Sequence, residues 1–117
     1  MLDQMMITSH RGIMYMLRIS VSVAPTNRYE FEHAVHDLLN ATPNHCGRKS
    51  RAMSRDVLDQ NLFWYHENWE SQEAMTAYFE EVGFRQLLGA MKVLGEIRVA
   101  EIITSQEVRN FELAERT

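Results

Sequence analysis

A single cysteine, Cys46, stands in 117 residues. That excludes an intrachain disulfide and makes a reducing, cytoplasmic location the expectation. Long apolar runs are also missing. Although 45% of the chain is hydrophobic, no stretch approaches the roughly 20 residues a membrane-spanning helix needs. Positive charge is scarce: 12 Lys and Arg face 16 Asp and Glu, for a net charge of −4. Nucleic acid is therefore not an expected partner, since phosphate binding draws on a basic surface. The first dozen residues include Asp3 and His10 and hold no continuous apolar core, so a cleaved signal peptide is not expected. There is no glycine-rich phosphate loop, nucleophilic triad or pair of catalytic carboxylates. His33 and His36 are spaced for one helix face, but no third ligand of matching geometry follows, so no metal site is expected.

What remains is the pattern of one globular domain. Residues 1–12 show no apolar period and read as a flexible extension. Ile13, Tyr15, Leu17, Ile19, Val21 and Val23 alternate with Met14, Met16, Arg18, Ser20 and Ser22, which predicts a long strand with one apolar face. Pro25 stops it. Thr26 or Asn27 can cap a helix with Phe31, Ala34, Val35, Leu38 and Leu39 on its inner face, ended by Thr42-Pro43-Asn44. Cys46 to Arg55 reads as a polar strand carrying Arg48, Lys49, Arg51 and Arg55. Those charges either guard an edge strand against aggregation or form a cationic wall for an anionic or phenolate ligand. A turn through 56–61 leads to the aromatic strand Leu62–Trp69. Ser71 then caps a helix running to Val82, Gly83 breaks it, and Phe84, Leu87, Leu88 and Met91 give a second short helical face. Glu96 to Ile103 is the last strand. The polar tail, 104–117, carries Val108, Phe111 and Leu113 and is expected to reach a partner or line an interface.

The order strand, helix, strand, strand, helix, strand is that of a ferredoxin-like βαββαβ sandwich, an α+β fold over residues 13–103. Helices on one face leave the other face of the sheet bare. It would carry either the Ile13-to-Val23 row or Leu62, Trp64 and their neighbours. A large apolar patch is not left in water, so a second copy is expected to cover it as a homodimer.

The aromatic strand ends in Glu67-x-Trp69-x-Ser71-x-Glu73-Ala74, with Phe31 in the first helix and Gly47 to Asp56 opening and closing the second strand. This pattern resembles the antibiotic biosynthesis monooxygenase family, dimeric α+β barrel proteins, over roughly residues 16–103. By that resemblance Phe63, Tyr65, Glu67 and Trp69 face a pocket between sheet and helices, while Trp64 and His66 fill the barrel. Members that modify polyketides place an Asn, a Trp, a Tyr and an Arg around an aromatic substrate. The matching positions here are Tyr65, Trp69, Met75 and Arg85. A helix His common in the family is replaced by Tyr78, and the axial His of haem-degrading relatives by Leu88, so haem degradation is not implied.

The resemblance implies a cofactor-independent monooxygenase acting on a small aromatic or quinol-type molecule. Trp69, Arg85 and Glu67 would be its catalytic residues, with Phe63, Tyr65, Met75 and Tyr78 binding the substrate. In such a site donors stabilise a substrate anion and a carboxylate moves its proton. The alternative is a non-catalytic dimeric module that binds or senses a small hydrophobic ligand. Tyr65 and Trp69 have a plainer reading too, as core aromatics whose polar tips are satisfied inside the fold.

Overall fold

A computed structural model describes residues 13–42, 45–105 and 108–111. The extension 1–12 and Leu113 of the tail lie outside the described residues. The first strand, β1, is Tyr15–Ser22, shorter at both ends than the alternation predicts. A 3₁₀ turn at Pro25–Asn27 follows, and helix α1 spans Arg28–Ala41. Asn27 stands at the N-cap without a side-chain cap bond, and its amide reaches the Leu94 carbonyl instead. Strand β2 is Arg48–Arg55 and β3 is Leu62–Trp69. Helix α2, Gln72–Phe79, begins as expected from Ser71, whose hydroxyl accepts from the Ala74 amide.

The helix break departs from expectation. It falls at Glu80–Glu81, and α3 runs as a full helix over Val82–Leu94 with Gly83 in its first turn. Gly83 is there for closeness rather than interruption: a Cβ would lie 2.9 Å from the Thr42 methyl at the end of α1. Strand β4, Glu96–Thr104, closes the expected set. A fifth short strand, β5 at Val108–Asn110, then pairs antiparallel with β4 of the same chain.

The sheet order is β2-β3-β1-β4-β5, with antiparallel pairing throughout. Residues opposite one another in an antiparallel ladder share a face, and that decides which row stays outside. Leu17, Ile19 and Val21 pair with Glu67, Tyr65 and Phe63, so the apolar row of β1 and the motif row of β3 look together toward the helices. Both rows are buried against Phe31 and Val35 of α1, Met75 and Phe79 of α2, and Leu87, Leu88 and Met91 of α3. Full burial of such a side chain stabilises the fold by about 1.5–3 kcal/mol. The outer face carries Leu62, Trp64, His66 and Asn68 beside Met16, Arg18 and Ser20. It is amphiphilic rather than apolar. Arg18 pairs with Glu101 at 2.6 Å and lies 5.6 Å from the centre of the Trp64 ring.

The described part of the tail folds back. The Phe111 amide donates to the Ala100 carbonyl at 2.8 Å, and its ring packs edge-on against Phe79 at 4.7 Å.

Candidate functional site

The strand period sends Phe63, Tyr65, Glu67 and Trp69 inward, and one of the four is a carboxylate. Glu67 is fully buried. The Trp69 indole N–H donates to its Oε1 at 3.0 Å, and the Tyr65 hydroxyl donates to its Oε2. The Tyr78 hydroxyl, from α2, is a third donor. A carboxylate out of water needs such partners. Burial pushes the Glu67 carboxyl above its ordinary 4.5, and the three hydrogen bonds pull the other way. Burial, reinforced by the adjoining carboxylate, also pushes the Tyr65 and Tyr78 hydroxyls far above their ordinary 10.0, so both stay protonated as donors.

A cationic layer lies over this cluster. Arg51 stands opposite Glu67 in the ladder and Arg55 opposite Phe63, so both face the helices. Arg51 donates to the Leu39 and Thr42 carbonyls at the end of α1, where the helix dipole favours a cation. Arg48 lies 5.7 Å from the Trp69 ring centre and 5.4 Å from that of Tyr78, within cation–π reach. His45 packs edge-on against the same two rings, at 5.2 and 5.5 Å. Its Nε2 meets the Glu81 carboxylate at 2.9 Å, and the bonds to Glu81 and to the Cys46 carbonyl hold the imidazole above its ordinary 6.5. Gly47 makes this approach sterically open. Its φ of 92° favours glycine, and a Cβ there would sit 2.8 Å from the Ala74 Cβ.

A separate groove of about 440 Å³ opens between α1 and the β2–β3 edge. Phe31, Val35, Leu39, Met53 and Phe63 floor it. Glu32, His36 and Arg55 stand at its rim, where Arg55 is ion-paired with Glu32 and stacks 5.4 Å from the Phe63 ring centre. Met53 faces Tyr65 in the ladder, which sets the groove beside the carboxyl cluster.

The structure thus gathers Tyr65, Glu67, Trp69 and Tyr78 and sets Phe63 at the groove. Met75 is buried in the core on α2. Arg85 stands apart: its side chain is 56% exposed on α3 and lies 3.6 Å from Glu80. Trp69 is fully buried, its N–H is taken by Glu67, and its ring packs against those of His45 and Tyr78. Strand β2 is an edge strand, as the guarding reading requires, and its Arg51 and Arg55 face the helices. Sequence reasoning passed over His45 and Glu32, and took Arg48 only as one charge of the basic strand. The period-two run Arg51, Met53, Arg55 could have signalled the inner row. Nothing in the sequence pairs His45 with Glu81, 36 positions away.

Fold and site together define a small α+β sandwich in which an aromatic strand buries a carboxylate next to an apolar groove. The chain belongs to the antibiotic biosynthesis monooxygenase family, whose sequence model matches residues 14–89. Among curated proteins none matches it. Solved structures similar to it include a conserved protein from Bacteroides thetaiotaomicron described as a possible oxidoreductase. It has a TM-score of 0.71 and 22% identity, with 80% of this chain and 98% of that one covered. A candidate antibiotic biosynthesis monooxygenase from Deinococcus radiodurans has a TM-score of 0.66 and 17% identity, covering 84% and 96%. One from Chloroflexus aurantiacus has 0.61 and 19%, covering 77% and 90%. At these identities the likeness shows the fold. Among the described residues no helix is long and apolar enough to cross a membrane, and no group of three or more metal-binding side chains gathers.

Proposed function

We propose that this protein is a homodimeric monooxygenase that oxidises a small aromatic or quinol-type molecule with dioxygen and needs no bound cofactor. The observation that carries this reading is the Glu67 carboxyl, buried in the family's motif under the hydroxyls of Tyr65 and Tyr78 and the Trp69 N–H. Such a reaction begins when a hydroquinone loses a proton and becomes electron-rich enough to react with dioxygen. One oxygen atom then enters the ring and the other leaves as water, which takes the hydroquinone to a hydroxyquinone. Glu67 is the proton acceptor, reached through the hydroxyl of Tyr78, because the carboxylate and the Tyr65 beside it have no solvent contact. Trp69 fixes the carboxylate, and Arg48, lying over the Trp69 and Tyr78 rings, favours an anion nearby. Arg85 lies outside this cluster and contributes little.

The second copy covers the outer sheet face. Support comes from Met16, Leu62, Trp64, Val99 and Ile103, all only partly buried there in a single chain.

Ligand binding without turnover is favoured by one observation: the polar tips of Trp69 and Tyr65 are satisfied within the chain. Oxygen uptake separates the two. With hydroquinone, a chelator and no flavin, the wild type should consume oxygen above the blank. Glu67→Gln should slow turnover by roughly a hundredfold, the scale of a lost acid–base group, and Arg85→Met by far less. No uptake by the wild type would leave the binding module.

A further inference from the structure

The groove between α1 and the β2–β3 edge is a second place where this fold can hold a small molecule. Its volume, about 440 Å³, lies within the roughly 300–1,000 Å³ of ordinary ligand sites. The floor is apolar and partly aromatic, with Phe31 and Phe63 in tilted contact at 5.0 Å. The mouth is polar. Glu32 reaches it from α1 and Arg55 from β2, and their ion pair bridges the two elements with side chains 43% and 44% exposed. Arg55 is also stacked on Phe63, which holds its guanidinium over the floor.

This mouth sets an acceptor beside a donor at the edge of an apolar slot. A hydroxyl on a flat ring answers both: its O–H donates to the Glu32 carboxylate, and its oxygen accepts from the Arg55 guanidinium. A ligand carboxylate would meet the charge of Glu32, and an ether could not donate to it. The geometry points to a binding site for a neutral phenol in this groove, ring against Leu39 and Met53 beside Phe63, hydroxyl at the Glu32–Arg55 ion pair. The site lies on the opposite side of Tyr65 from Arg48 and His45, since Tyr65 faces Met53 in the ladder. The inference goes beyond the proposed function, since this groove is a second aromatic site apart from the Glu67 cluster, and it rests on that reading only for the choice of an aromatic. Binding alone tests it, so its failure and that of the oxygenase chemistry are told apart.

The probe is 2-naphthol, titrated into the full-length protein and followed by amide and indole NMR shifts. Amides of Val35, Met53 and Phe63 should move, and the Trp69 indole N–H should not. 2-Methoxynaphthalene and 2-naphthoate should each bind about tenfold more weakly, the scale of one hydrogen bond to a charged group. Arg55→Met should weaken 2-naphthol by roughly tenfold. Met53→Trp, which fills the slot, should abolish binding. If that variant melts early, Arg55→Met and the shift map decide alone. Four results would overturn the assignment: no saturable binding of 2-naphthol, shifts centred on the Trp69 indole, tighter binding of 2-naphthoate than 2-naphthol, or unchanged affinity in Arg55→Met.

Discussion

At the scale of single residues, Glu67 concentrates the interest of the molecule. Alternation along β3 set it in one row with Phe63, Tyr65 and Trp69, and the family resemblance turned that row inward and marked it as the nearby carboxylate. Of its three donors Tyr78 was not legible, because it arrives from a helix whose rotation is set by packing. The Tyr65 and Trp69 partnership was half legible, since residues two apart on a strand share a face. A buried carboxyl with a raised pKa has a definite signature. Between 4.5 and its folded value the folded state holds a proton that the unfolded chain releases. The stability from this group is full below 4.5 and is lost as pH rises through the folded value. Glu67→Gln cannot titrate, and it leaves one donor of the cluster facing another, at a cost of about 1–3 kcal/mol. Urea melts at a series of pH values should therefore show the wild type ahead of the variant in acid, with its lead shrinking as pH rises. A lead that grows with pH would mean a depressed, structural carboxylate.

At the scale of elements, the strands were read to within a few residues because alternation is a local signal. The helices were read less well. Gly83 suggested a break, yet the break falls at Glu80–Glu81 and Gly83 serves the close passage of α3 past Thr42. Contact with a distant element overrode local propensity. The loop before β2 is tied to the start of α3 in the same non-local way, by His45 and Glu81. Glu81 raises the folded value of His45, so the stability it lends is full below 6.5 and fades as pH rises through the folded value. Both side chains are partly solvated, which limits the effect. The wild type should lose its advantage in thermal midpoint over Glu81→Gln between about pH 6 and about pH 8. An advantage that does not change across this range would mean that the pair carries no charge coupling.

At the scale of the whole molecule, the sandwich was legible from element order, while that order left the faces of its sheet open and only the family resemblance turned the motif row inward. Two rows competed for the outside, and pairing register chose: the β1 row and the motif row lie opposite each other and both went inside. The outer face is left with Trp64, Leu62 and Met16 among charged residues, which is the surface proposed for the second copy. Sedimentation at micromolar concentration should show a dimer, and Trp64→Glu should shift it toward monomer with little change in fold. A wild-type monomer would remove the dimer from the account. The tail was read as reaching a partner or lining an interface, and Phe111 of it packs on Phe79 and Phe84 of its own chain.

The most direct test of the proposed activity follows the oxygen atoms. Hydroquinone turned over under ¹⁸O₂ in metal- and flavin-free buffer should give a hydroxyquinone carrying one labelled oxygen, with the other in water. A quinone without label, or no product above the protein-free control, would contradict the monooxygenase reading.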